Sequence, residues 1–248
     1  PNGTLSDLAT TDNIIWTARF TPNDEVTDLT NTISVNGANF TDLAGNAGSG
    51  TTASSNYTVD TERPTVTITV ADDALQIGDT TTVTFTFSEA VQNFSNDDLT
   101  VVNGTLTEVS STDDTTWTAT FTPTAGITDA SNVITVNKAA YTDTRNNQAA
   151  SNTDSNNFAI DTTRPVLNSI TLSDSALKIG DTATVTFTFS EAVKDFTLED
   201  VVSPNGTLSD LATTDNIIWT ATFTPTEDTE DYINYISVGS NRFEDFFG

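Results

Sequence analysis

The chain has 248 residues, 35 of them acidic and 8 basic, for a formal net charge of −27 at pH 7. A surface that negative repels nucleic acid and anionic lipid, so neither is an expected partner. Cysteine, histidine and methionine are absent, which excludes disulfides, thiolate metal sites, thiol nucleophiles and the commonest general base.

Threonine supplies 52 residues, and with Val, Ile and Phe it biases the chain towards strands. In chain order, period-2 alternation predicts strands at TVTITV (65–70), TTVTFTF (81–87), DLTVV (98–102), TWTATF (116–121), NVITV (132–136) and NFAI (157–160). In TTVTFTF, Val83, Phe85 and Phe87 share one face and the threonines point the other way. Turn signals separate the strands: GD, NG, FTP, AGN and the Asn-rich stretch 146–157. Seven or eight short strands in about 100 residues mark a β-sandwich. No apolar run approaches the ~20 residues of a membrane span, so membrane insertion is not expected. The hydrophobic fraction is low, 35%, but its patterning argues for folding rather than disorder.

Self-comparison shows a repeat. Residues 1–22 recur at 204–225 with one change, Arg19 to Thr222, and a weaker copy, NGTLTEVSSTDDTTWTATFTP, lies at 103–123. Trp16, Trp117 and Trp219 are spaced by 101 and 102 residues. DTERP at Asp60 and DTTRP at Asp161 open matching blocks, and FTDLAGN (40–46), YTDTRNN (141–147) and FEDFFG (243–248) match again. The expected domains are therefore 1–60, the C-terminal part of a repeat; 61–161, a complete repeat; and 162–248, a repeat lacking its last strand. The partial repeats duplicate the middle of the unit instead of completing each other, so the chain reads as an excerpt from a longer array. The tryptophan of each repeat is expected to anchor the core.

The motifs DTTRP, VTFTFSEAV, NGTL, TWTATFTP and FTDLAGN together resemble the bacterial immunoglobulin-like (BIg) tandem repeats of giant secreted RTX-type biofilm adhesins. The resemblance covers the whole chain. It implies tandem all-β immunoglobulin-like sandwiches on the bacterial cell surface or outside the cell, type I secretion, and calcium at or near domain junctions. YTDTRNN departs from the family's turn by lacking its glycine, and FEDFFG ends before the Asn position.

Strand parity says which acids meet. The second strand of a repeat returns to the N-terminal end, so the loop after TVTFTF carries Glu89, Asp97 and Asp98 there. The loop before the last strand brings Asp143 to the same end, and the linker brings Asp60 and Glu62. The third-repeat equivalents are Asp161, Glu191, Glu199, Asp200 and Asp245, with Asp72, Asp73, Asp79 and Asp129 of the second repeat expected to face them. Asp42 is the first repeat's equivalent of Asp143. Converging carboxylates repel one another, and Ca2+, which takes 6–8 oxygen ligands, is the cation that suits them. The expected function is a calcium-stiffened extender stalk whose partners are neighbouring repeats of the same polypeptide. A self-assembling filament with homotypic contacts and a carbohydrate- or ice-binding module are the alternatives. Catalysis is not expected of near-identical repeats without histidine or cysteine, and no lysine recurs between repeats to form an isopeptide bond.

Overall fold

A computed structural model describes residues 2–139, 141–239 and 242–246. Strands dominate, and the helical elements among the described residues are three single 3-10 turns, Gly37–Asn39, Asn96–Asp98 and Leu198–Asp200. None is long and apolar enough to cross a membrane.

The second repeat shows the complete unit. Its main sheet runs Gly104–Leu106, Thr116–Pro123, Thr81–Phe87, Val66–Val70, all antiparallel. In Thr81–Phe87 the residues on one face are buried while the intervening threonines lie towards solvent, as period-2 alternation requires. Ile68 pairs with Phe85 and Phe85 with Trp117 in register. Opposite this sheet lie two short ladders. In one, Phe158–Asp161 pairs antiparallel with Thr128–Asn132 and parallel with Ala74–Leu75. In the other, Thr135–Val136 lies between Leu99–Thr100 and Thr153–Asp154. Val83, Phe85 and Phe121 from the sheet meet Leu75, Ile134 and Phe158 from across the sandwich, all fully buried.

The third repeat repeats the sheet with Leu167–Leu172, Ala183–Phe189, Ile218–Pro225 and Gly206–Thr213, around its own core of Val185, Phe187, Phe189 and Phe196. Residues 2–60 form three strand pairs, Gly3–Thr10 with Trp16–Pro22, Thr27–Asn31 with Tyr57–Asp60, and Ser34–Asn36 with Thr51–Ala53. They contain no counterpart of Thr81–Phe87 to cover the first pair, and Trp16 is accordingly 54% exposed. Trp117 and Trp219 pack against the cores, as expected, without forming their centres. Both are half-buried, and the centre of each aromatic cluster is a phenylalanine, Phe94 or Phe196.

The recurring Asn-Gly pair lies at the turn its signal suggests, and the asparagine does more there. Asn103 adopts a positive φ of 55°, and its Nδ2 donates to Asp129 Oδ2 at 2.9 Å and Asn132 Oδ1 at 2.8 Å. Asn132 in turn donates to the carbonyls of Asp129 and Phe158. The same knot forms at Asn2 with Asp28 and Asn31, and at Asn205 with Asp231 and Asn234. It ties the sheet edge to the opposite ladder through groups that would otherwise be unsatisfied. Gly104 then begins a strand with no room for a side chain, since a Cβ there would overlap the Phe121 ring and lie 2.6 Å from the Thr122 carbonyl oxygen. Gly104→Ala should therefore destabilise the second repeat by about 1–3 kcal/mol through overpacking, read as a lower midpoint in urea.

Candidate metal site at the repeat junction

Three segments converge where the first repeat meets the second. Strand Tyr57–Asp60 ends the first repeat and delivers Asp60. The loop after Thr81–Phe87 delivers Glu89, and the two-residue ladder Val91–Gln92 with Thr142–Asp143 holds Asp143 beside it. One carboxylate oxygen from each of Asp60, Glu89 and Asp143 lies within 4.8 Å of the others. Asp143 is fully buried and the other two are half-buried.

A tight turn positions Asp143. Its Oδ1 accepts from the backbone N–H of Arg145 at 2.7 Å and of Asn147 at 2.8 Å, and its Oδ2 accepts from Asn147 Nδ2 at 2.7 Å. Asn147 Nδ2 also donates to the Asp60 carbonyl at 3.1 Å, crossing from one repeat to the other. The first repeat builds the same turn on Asp42, whose carboxyl is held below the usual range by the Asn46 side chain and N–H groups. There, Gly45 occupies the left-handed position at φ 87°; in the second repeat Asn146 takes it at φ 70°. Asparagine tolerates that conformation, so the missing glycine leaves the turn intact. Asn146→Gly should keep the fold, and Asn146→Ala should lose about 1–2 kcal/mol, measurable as a difference between the two variants in denaturant.

The charges at the site strain one another. Burial, followed by the charges of Asp143, Asp60 and Glu62, pushes the Glu89 carboxyl above its ordinary pKa. Glu62 stays exposed and shares Thr27 with Asp60, the threonine hydroxyl donating to Asp60 Oδ1 at 3.1 Å and Glu62 Oε2 at 3.0 Å. At the second junction the same positions return, but among the described residues their carboxylates do not close into a comparable group. Glu191 is pushed up by burial and then by Asp161 and Asp245, and Thr128 donates to Asp161 Oδ1 at 2.8 Å. Asp161 and Asp245 are both buried. Thr163 replaces Glu62, its hydroxyl 2.9 Å from that of Thr128, leaving one carboxylate fewer.

The remaining acids are engaged elsewhere. Asp98 caps a 3-10 turn, its Oδ2 accepting from the Ser95 N–H at 2.7 Å, and burial pushes its carboxyl up despite that bond. Asp200 caps its equivalent through Thr197. Asp97 and Glu199 lie exposed in the same turns and outside the group of Asp60, Glu89 and Asp143. Asp72 and Asp79 accept backbone N–H groups within their own loops, and Asp129 belongs to the asparagine knot. Asp73 accepts the Ala159 N–H through its carbonyl. Among the charges acting on Glu191, none comes from these four. Asp42 has its turn but no carboxylate cluster among the described residues.

The donor set suits one class of ion. All donors are oxygen, with no imidazole or thiolate available anywhere in the chain. Two oxygens on opposite sides of a calcium ion, each about 2.4 Å away, stand about 4.8 Å apart, the limit within which the three carboxylates lie. The carboxylates of Asp60, Glu89 and Asp143 would hold the ion, and it would supply the positive charge that their convergence lacks.

A family model described as a bacterial Ig-like domain matches residues 1–59, 60–160 and 161–248. The chain belongs to the bacterial Ig-like domain family. No curated protein matches it. Tandem bacterial Ig-like domains account for the 101-residue period and for the two separate hydrophobic cores. The tandem arrangement also explains why the carboxylates gather where consecutive domains meet.

Proposed function

We propose that this bacterial Ig-like array is a structural extender, a stalk segment of a large bacterial cell-surface or secreted adhesin, stiffened by calcium at its junctions. A structural role fits the family, and near-identical repeats give no repeat a specialised site. The observation that carries the calcium reading is the origin of the three clustered carboxylates. Asp60 ends one repeat while Glu89 and Asp143 belong to the next, so an ion held by all three joins two domains. Extracellular calcium modules bind with Kd of about 10⁻⁴–10⁻³ M. Such sites would be empty in the cytosol and filled outside the cell, which keeps the array loose before export and firm after it.

Scattering and calorimetry on this chain, in calcium and in EDTA, test the proposal. The expected result is a greater maximum dimension and a higher Tm in calcium. Equal Tm and equal dimensions in both buffers would leave a flexible spacer whose acids serve only to solvate it.

A further inference from the structure

The linker residue after the acidic site behaves differently at the two junctions. Arg63 Nε donates to Glu25 Oε1 at 3.1 Å, its backbone N–H donates to Glu25 Oε2 at 3.3 Å, and Nη2 reaches Asp24 Oδ1 at 3.5 Å. Those partners lie in the first repeat. From the same guanidinium, Nη1 donates at 3.4 Å to the carbonyl of Gln148, in the second repeat. Arg63 thus spans the junction, and Glu25, Arg63, Tyr141 and Ala149 line a shared cavity of about 140 Å³ there.

The second junction has the arginine but not its partners. Arg164 stands where Arg63 does, while Ala125 and Gly126 stand where Asp24 and Glu25 do. The backbone makes the contrast sharper. Gly126 has a φ of +73°, which glycine adopts freely, yet Glu25 holds the same turn position at φ 53°. A glutamate in the left-handed region is strained, and such strain persists where the surrounding structure uses the residue. Glu25 holds that conformation with both carboxylate oxygens turned on Arg63.

We propose that Arg63 is a cation-independent latch between the first two repeats, so that the two junctions of this chain differ in stiffness when no metal is present. The latch stands apart from the calcium reading, since Arg63 acts on Glu25, Asp24 and Gln148 and touches none of the three clustered carboxylates. Exposed ion pairs add little to folding stability. Their effect here is to select one orientation of a short linker, which a guanidinium with fixed geometry does better than an ammonium.

The absence of cysteine permits clean paired labelling. Spin labels at Ser55→Cys with Thr112→Cys span the first junction, and labels at Thr112→Cys with Thr214→Cys span the second. In EDTA at low salt, the first pair should give a distance distribution at least half as narrow again as the second. Arg63→Ala should broaden the first to the width of the second without moving Tm, and 1 M salt should do the same to the unmutated chain. The converse variant, Ala125→Asp with Gly126→Glu, should narrow the second. Equal widths at both junctions in EDTA, or an Arg63→Ala chain with an unchanged first distribution, would overturn the latch. Because every comparison is made without calcium, neither result bears on the metal site.

Discussion

Glu89→Gln is expected to stabilise the protein in EDTA and to destabilise it in calcium. Without the ion, Glu89 is a carboxylate that burial and three acidic neighbours, Asp143, Asp60 and Glu62, push to a higher pKa in the folded state. A raised folded pKa means the folded protein binds more protons than the unfolded one through the window above 4.5, so the contribution of this group falls as pH rises through its folded value. A neutral amide removes that penalty. The gain over the wild type should therefore be full near pH 7 and vanish as the pH drops far enough to protonate Glu89. With calcium the sign reverses, because the substitution deletes a ligand. A hundredfold excess over Kd adds about 2.7 kcal/mol, and tenfold weaker binding leaves about 1.4 kcal/mol. At roughly 4–8 °C per kcal/mol for a domain of this size, the calcium-induced rise in Tm should halve, from about 10–20 °C. Calorimetry on both proteins in both buffers reads all four values. A Glu89→Gln effect of the same sign with and without calcium would sink the metal site. Glu191→Gln should likewise stabilise the protein in EDTA, since burial and then Asp161 and Asp245 push its carboxyl up.

How much of this was legible in the sequence follows from what each feature depends on. The long strands Thr81–Phe87 and Thr116–Pro123 carry clean period-2 alternation and are where TTVTFTF and TWTATF place them. Two-residue ladders such as Val91–Gln92 with Thr142–Asp143 are too short to show a period, yet they hold Asp143 in place. Parity of the first two strands and the last was enough to bring Asp60, Glu89 and Asp143 to one end, since it needs no knowledge of the middle of the sandwich. It could not separate them from Asp98, which lies in the same loop region but is consumed by the Ser95 cap. Nor could it show that Asn146 substitutes for a glycine, which is visible only as a positive φ. The Arg63 contacts had a sequence signal, Asp24-Glu25 against Ala125-Gly126, recoverable by comparing repeats for their differences instead of their matches. That a phenylalanine and not the tryptophan is the hub has a physical reason too. Phe94 lies in an irregular segment after Val91–Gln92, outside any alternating run, so nothing in the pattern marks it as the hub.

Phe94→Ala is expected to cost the second repeat about 3–5 kcal/mol, the range for truncating a buried aromatic, against a domain stability of roughly 5–15 kcal/mol. The ring is only 5% exposed and makes edge-on contacts with Phe85 at 5.3 Å, Phe87 at 5.0 Å, Trp117 at 5.4 Å and Tyr141 at 6.1 Å. Those four come from two strands and a loop, so removing Phe94 opens a cavity that no single neighbour can fill. Trp117→Phe is the control: it trims a half-buried ring and keeps an aromatic edge against Phe94, so it should cost less than half as much. The effect should also be local. Phe196 anchors the third repeat through Phe187, Phe189, Trp219 and Phe243 in a separate core, and domains that meet only at a junction melt largely on their own. Calorimetry should then show the second repeat's transition lowered by about 12–40 °C with the third repeat's unmoved. Tyr141, which packs on Phe87 and Phe94 two residues before Asp143, links this core to the acidic turn. Phe94→Ala should therefore also reduce the calcium-induced rise in Tm, whereas Phe196→Ala should spare the first junction. A loss at Phe94 no larger than at Trp117 would return the anchoring role to the tryptophan.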